Sequence, residues 1–342
     1  MIVFNIFSVL VFSLLFSFDL YICKFNQSEQ TLQLLITVFR HGDRTNDVLT
    51  NYPKNPYINE TYYPYGYGEL TNLGKEKMYK LGEEFKNMYY LFLEQQDLFE
   101  SIDLLSTNLN RTRCSLEFFL KGLFFTYNST LDCENFTPFS YKVVALENNR
   151  ILSMPLWYCP KYQLLYDIYI SSREGRSMER YYKPLYSYIS QRTGLTIDST
   201  YDLMLLYMQF ICEKDWGFAL PEWTKLVYPE YLTNAIKTYY KTTVASSAHN
   251  QLFGVSLLSG LNIYFPHIPN YGACVVLELH KVNQTYYIKV LYNQEIFNKF
   301  VEMQIPGCPI MCPFEKFVNL VHSNLPEDGD PCIIDDLNEI TK

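Results

Sequence analysis

The sequence has no surplus of positive charge: 28 lysines and arginines stand against 36 aspartates and glutamates, a formal net charge of -8. A nucleic-acid partner needs a broad basic face, so that class of function is excluded, and any anion site must be a local cluster of cations. Repeats, low-complexity tracts and long blocks of like charge are also missing. Their absence excludes a repeat architecture and leaves local periodicity as the guide to structure. After the first 18 residues there is no second long apolar run. That opening run, Met1 to Phe18, carries no charge and falls slightly short of the roughly 20 apolar residues of a membrane span. At the extreme N-terminus it reads as a signal peptide, residues 1–24, cut between Ser17 and Phe25. No stable membrane anchor is expected, and the mature protein should be soluble.

What is present fits an exported globular chain. Apolar residues make up 48% of the 342 and charged residues 19%, enough for one large or two moderate domains. The 31 tyrosines are scattered rather than grouped, as half-buried structural residues would be. Nine cysteines suit an oxidising compartment. Setting Cys23 aside as signal or linker leaves Cys114, Cys133, Cys159, Cys212, Cys274, Cys308, Cys312 and Cys332, an even number that permits full pairing. Cys308 and Cys312 have no second Cys or His pair nearby, so a short disulfide loop is expected there rather than a metal knuckle. Sequons at Asn26, Asn59, Asn110, Asn128, Asn135 and Asn283 suit a secreted glycoprotein.

Three strand-to-helix units can be read from the pattern. Leu32 to Phe39 is a mostly apolar run, the mark of a buried strand, and it ends at Arg40-His41-Gly42. After a loop from Thr50 to Tyr67, Thr71 caps a helix whose apolar positions Met78, Leu81, Phe85, Met88 and Phe92 step by three and four. Ile102 to Leu105 forms a second strand, followed by a turn and a helix bearing Leu116, Phe119, Leu120 and Leu123, with Arg111 at its N-terminus. Thr242 to Ser247 forms a third strand with His249-Asn250 at its end, then a helix through Leu252, Val255 and Leu258 that stops at Gly260. Open α/β sheets bind ligands at the carboxyl ends of strands, so the three ends could share one crevice. The middle of the chain reads as helical. Cys274 to His280 and Tyr286 to Tyr292 alternate with period two, a hairpin expected to extend the sheet at an edge.

The strand ends carry a chemistry. A phosphomonoester brings close to two negative charges, which call for several guanidiniums, and Arg40, Arg44 and Arg111 supply three. An imidazole among them is expected to stay neutral, the nucleophilic form. Gly42 is expected where backbone must come close to the ligand.

With these residues in place the chain resembles the histidine acid phosphatases, the secreted and lysosomal branch of the histidine phosphatase superfamily. Val38-Phe-Arg-His-Gly-Asp-Arg-Thr45 is similar to the family's R-H-G-x-R-x-P signature, except for Asn46 at the proline. Gly68 to Gly74, Ser106 to Thr112, Ser247 to His249 and Pro306 to Cys312 resemble its other motifs, in the same order. The resemblance implies an α/β fold with a mostly parallel sheet flanked by helices and a helical cap. The domain boundaries it suggests are 25–155 for the first part of the core and 156–240 for the cap. Residues 241–342 complete the core with the hairpin and the disulfide loop.

The resemblance further implies an acid phosphatase with a phosphohistidine intermediate on His41 and phosphate contacts from Arg40, Arg44, Arg111 and His249. It implies a phosphomonoester as substrate or ligand, no metal and no cofactor, and it leaves room for a homodimer. It suggests the disulfides Cys159 to Cys332, Cys212 to Cys274 and Cys308 to Cys312, leaving Cys114 and Cys133 as an extra pair. A glycan on Asn110 would obstruct Arg111, so that sequon is expected to stay empty. The chain departs from the family most sharply at Asn250, where the resemblance calls for the aspartate that protonates the leaving group. Leu105, Asn108 and Asn110 also replace charged residues, and the stretch from Trp223 to His249 is short. Asp43 and Glu69 are the acids considered as substitutes, and each reads more naturally as a solvated or paired carboxylate.

Overall fold

The computed structural model describes residues 30–96, 101–125, 139–145, 159–244, 254–295, 299–322 and 332–333. The first apolar run forms β1, Leu32–Phe39. The Thr71 hydroxyl accepts from the Gly74 amide and caps α1, Asn72–Met88, whose buried face carries Met78, Leu81 and Phe85. β2 covers Leu105–Thr107, starting where the expected strand was to end, and α2, Asn110–Phe124, begins three residues after it. β3, Lys142–Val144, pairs with β2. Then come α3 (Pro160–Ser171), α4 (Arg173–Thr193), α5 (Thr200–Asp215) and α6 (Glu230–Val244), with no strand among the described residues between them. The order closes with α7 (Gly254–Gly260), β4 (Cys274–Val282), β5 (Thr285–Asn293), β6 (Val301–Met303), β7 (Cys312–Pro313) and α8 (Phe314–Val321).

The sheet corrects the expectation of mostly parallel strands. β1, β4, β5 and β6 are hydrogen-bonded in that order, β7 also pairs with β5, and every one of these pairings is antiparallel. The one parallel pairing among the described residues, β2 with β3, belongs to a separate two-stranded sheet. A strand-loop-helix pattern carries no information about direction. The hairpin does, because Asn283 and Gln284 both take positive φ and close a two-residue turn that matches strand twist. The hairpin is not an edge extension either, since β4 lies between β1 and β5. Among the described residues β1 and β6 end the sheet, and Leu34 and Ile36 are about half exposed on a strand read as buried.

Side chains alternate across the strands, so each face has its own core. Leu32, Cys274, Val276 and Leu291 pack against α1 and α2. Val275, Ile288, Val290 and Tyr292 pack on the other side against Leu258, Val321 and the Cys308–Cys312 loop. α1 and α2 come close because Gly82 and Gly122 face each other's helix: a Cβ on Gly82 would lie 2.0 Å from the Phe119 carbonyl oxygen.

The third expected strand is overturned where it can be seen. α6 runs through Thr242, Thr243 and Val244, while residues 245–247 lie outside the described residues. Leu232, Ala235, Ile236 and Tyr239 are buried at helical spacing, and that packing outweighs the strand preference of a short β-branched tail. Two disulfides join Cys159 to Cys332 and Cys308 to Cys312. Cys114 is also disulfide-bonded, and its expected partner Cys133 lies outside the described residues. The expected Cys212–Cys274 bond is not formed, and both are buried free thiols. They face different surroundings: Cys274 belongs to the core against α1 and α2, whereas Cys212 contacts Arg44 and Tyr271.

The loop after the phosphate motif is pinned to the helical layer by a buried acid. Glu213 on α5 is fully buried and accepts from Asn55 Nδ2 and Gln209 Nε2, each at 2.7 Å. Burial raises its pKa above the usual glutamate value, partly offset by those two hydrogen bonds. A carboxyl raised in the folded state contributes its full stability below the unfolded pKa, about 4.3, and loses it as pH rises through the folded value. Glu213→Gln keeps an acceptor and removes the charge. It is expected to raise the melting temperature at neutral pH and to leave it unchanged near about pH 4, as scanning calorimetry at the two pH values would record.

Candidate active site

Arg40 and His41 leave the end of β1 and remain tied to the segment entering β4. The Arg40 amide donates to the Ala273 carbonyl at 2.9 Å, and the Gly272 amide to the His41 carbonyl at 3.2 Å. On the other side Gly42 meets the first turn of α1. A Cβ on Gly42 would lie 2.6 Å from the Gly74 carbonyl oxygen, and one on Gly74 would lie 2.2 Å from that of Asp43. Gly42 is therefore required by a backbone-to-backbone approach. Its amide donates to Ser115 Oγ at 3.1 Å, and that hydroxyl donates to the Arg111 carbonyl at 2.7 Å. One serine thus links the loop to the first turns of α2.

The imidazole is held in one tautomer. His41 Nδ1 lies 2.8 Å from the Gly42 carbonyl oxygen, which can only accept, so Nδ1 carries the proton and Nε2 keeps its lone pair. Burial holds the His41 pKa well below the ordinary imidazole value, and the charges of Arg40, Arg44 and Arg111 lower it further. The three arginines expected from the sequence therefore do converge on this ring. Nε2 is thereby kept unprotonated below the ordinary imidazole pKa.

Each arginine is fixed differently. Arg40 Nη1 donates to the Pro269 carbonyl at 2.6 Å, and its guanidinium carbon lies 4.5 Å from the centre of the Tyr271 ring. That ring is 5.5 Å from the His41 ring and completes one wall. Arg44 is buried; its Nη1 donates to the Thr45 carbonyl at 2.8 Å and lies 3.7 Å from Cys212 Sγ. Arg111, the second residue of α2, donates from Nη1 to the Gly68 carbonyl at 3.3 Å. Burial lowers its pKa, and the charge of Arg44 adds to the effect. Among the described residues neither Arg44 Nε nor Arg111 Nε finds an acceptor. Mutually repelling guanidiniums with spare donors form a site for an anion with several oxygens.

The two acids considered as proton donors are engaged elsewhere. Asp43 is buried and its Oδ1 pairs with Lys77 Nζ at 2.7 Å. Glu69 Oε2 accepts from Asn110 Nδ2 at 2.6 Å. His249 and Asn250 lie outside the described residues. Sequence reasoning missed Tyr271, Ser115, Pro269 and Cys212. Ser115 had a signal in its spacing, four residues after Arg111 on one helix face, but Tyr271 is one tyrosine among 31.

The family described as histidine phosphatase superfamily (branch 2) matches residues 31–208, a span that contains all three arginines and His41. The chain belongs to that family. Similar chains include the venom acid phosphatase Acph-1 of Apis mellifera, 28% identical over 342 aligned positions covering 87% of each chain. The prostatic acid phosphatase of Homo sapiens is 27% identical over 340 positions, covering 87% of this chain and 86% of its own. Among solved structures, the phytase of Klebsiella sp ASR1 superposes with a TM-score of 0.59 at 14% identity, covering 90% of this chain and 98% of its own. That superposition shows a shared fold.

Two outcomes follow from the geometry. Gly74→Ala drives a methyl group into the Asp43 backbone and is expected to lower stability by about 1–3 kcal/mol and to weaken phosphate binding, measured by melting and by calorimetric titration. Asn110, whose amide is held by Glu69 beside Arg111, is expected to carry no glycan. Peptide mass spectrometry of the protein expressed through a glycosylating pathway should find that sequon unoccupied.

Proposed function

We propose that the chain is a secreted acid phosphatase that hydrolyses phosphomonoesters through a phosphohistidine on His41, with a lysosome-like compartment as the alternative site of action. The observation that carries this reading is the neutral imidazole, locked by Gly42 with Nε2 free and surrounded by three guanidiniums. The acid phosphatases among its relatives support it. Nε2 attacks phosphorus, the arginines hold the equatorial oxygens as charge develops, and water then releases phosphate from the histidine. The residues matched to the family at His249 and Asn250 bear on the leaving group. Asparagine cannot donate a proton, and general acid catalysis is typically worth about 10²- to 10⁴-fold, roughly 3 to 5.5 kcal/mol of barrier. Acidic leaving groups need no such help, so turnover of aryl phosphates survives the change.

A second reading, a phosphatase-fold protein that binds a phosphorylated ligand without turnover, draws on Asn250 alone. One assay separates the two. p-Nitrophenyl phosphate is expected to be hydrolysed near about pH 5, and His41→Ala should abolish that turnover. Equal rates for the two proteins would overturn the enzyme reading. Because the His41 pKa is depressed, kcat/KM should hold as pH falls through the ordinary imidazole value, about 6.5, with any loss from His41 protonation confined to well below it.

A further inference from the structure

The segment that enters β4 grips the signature loop at several points. The Pro269 carbonyl accepts from Arg40 Nη1 at 2.6 Å, the Gly272 amide donates to the His41 carbonyl at 3.2 Å, and the Ala273 carbonyl accepts from the Arg40 amide at 2.9 Å. All three of these contacts use the segment's backbone. Tyr271 adds a side chain to them, and its ring meets two groups at once: its centre lies 4.5 Å from the Arg40 guanidinium carbon and 5.5 Å from the centre of the His41 ring. The ring is itself held. Tyr271 is buried, and its hydroxyl hydrogen-bonds with Cys212 Sγ at 3.3 Å, which joins it to α5. Burial raises the pKa of that hydroxyl, so it holds its proton and is a poor donor to a leaving group.

The other contacts of Arg40 show what a ring supplies. Nη1 is committed to the Pro269 carbonyl, and Nη2 lies 3.9 Å from Met208 Sδ on α5. A further polar partner would take another N–H. An aromatic face attracts a cation through its quadrupole and consumes no donor. The rest of the planar fork then stays available to phosphate oxygens.

We infer that Tyr271 is a positioning residue, whose ring aims the Arg40 guanidinium at the phosphate that reacts at His41. The inference rests on the phosphatase reading above, in which Arg40 binds phosphate. Two neighbours explain less of the geometry. Pro269 acts through a backbone carbonyl, which any residue supplies, and Met208 reaches Arg40 at 3.9 Å through a weakly accepting thioether. A plain packing role for Tyr271 makes a different prediction, since any apolar side chain of similar size would then serve.

The test separates ring, hydroxyl and bulk in the full chain. Tyr271→Phe keeps the ring and removes the hydroxyl, whereas Tyr271→Leu keeps apolar bulk and removes the ring. Binding of inorganic phosphate is followed by calorimetric titration, with KM on p-nitrophenyl phosphate and the melting temperature beside it. Tyr271→Leu is expected to weaken phosphate binding and raise KM by about 3- to 30-fold, and Tyr271→Phe to change either by less than about twofold. On an Arg40→Gln background Tyr271→Leu should cost no further affinity, because the ring acts through Arg40. Tyr271→Met, unbranched and adaptable, gives the same comparison if the leucine variant does not fold. Phosphate affinity unchanged by loss of the ring, at whatever melting temperature, overturns the assignment and leaves a packing residue. Equal losses in the Phe and Leu variants, or an undiminished loss on Arg40→Gln, overturn it as well while His41-dependent turnover stands. Turnover that persists in His41→Ala removes the phosphatase reading and this inference together.

Discussion

The contact of Gly42 and Asp43 with Gly74 is the constraint from which the site follows. Two backbones meet there at distances that leave no room for a Cβ, the end of the β1 strand and the first turn of α1, and the Ser115 side chain ties the same point to α2. Beside that contact the Gly42 carbonyl fixes the His41 ring, and Ser115 links the Gly42 amide to the Arg111 carbonyl. The two helices are in turn set by their own close approach at Gly82 and Gly122. Small residues thus do at both levels what large ones cannot, because precise placement of charged groups requires main chains that touch.

Positive charge is the second governing term. Three buried or half-buried guanidiniums repel one another and suppress protonation of the imidazole between them. The same crowding of charge makes the site receptive to a dianion and keeps the imidazole neutral. An overall charge of -8 places this cluster in an otherwise acidic molecule. The attraction for phosphate is therefore local, which favours small anionic esters over extended polyanions.

The site was more legible than the sheet. Arg40, His41 and Arg44 fall within five residues, and such a cluster at the end of an apolar strand has few other uses. Arg111 was legible because a helix start follows a strand. Tyr271 was not, since it reaches His41 only through a pairing between β1 and β4 that spans more than two hundred residues, and periodicity sees only local neighbours. Strand direction failed for the same reason: alternation shows which face is buried but not which way a partner runs. Thr242 to Val244 misled because β-branched residues suggest a strand, while the buried stripe from Leu232 to Tyr239 continues the helix through them. The Cys212–Cys274 bond came from resemblance alone, and the two thiols lie in different packing environments.

The pairing of β1 with β4 also orders events in time. Phe39 opposes Cys274, and the amide of Gly272 closes on His41. His41 is thus made early in synthesis but acquires its Tyr271 wall only after some 230 further residues have emerged. A nascent chain that stops short of Tyr271 would carry the whole signature and no working pocket. Such long-range closure slows folding and leaves β1 without its β4 partner meanwhile.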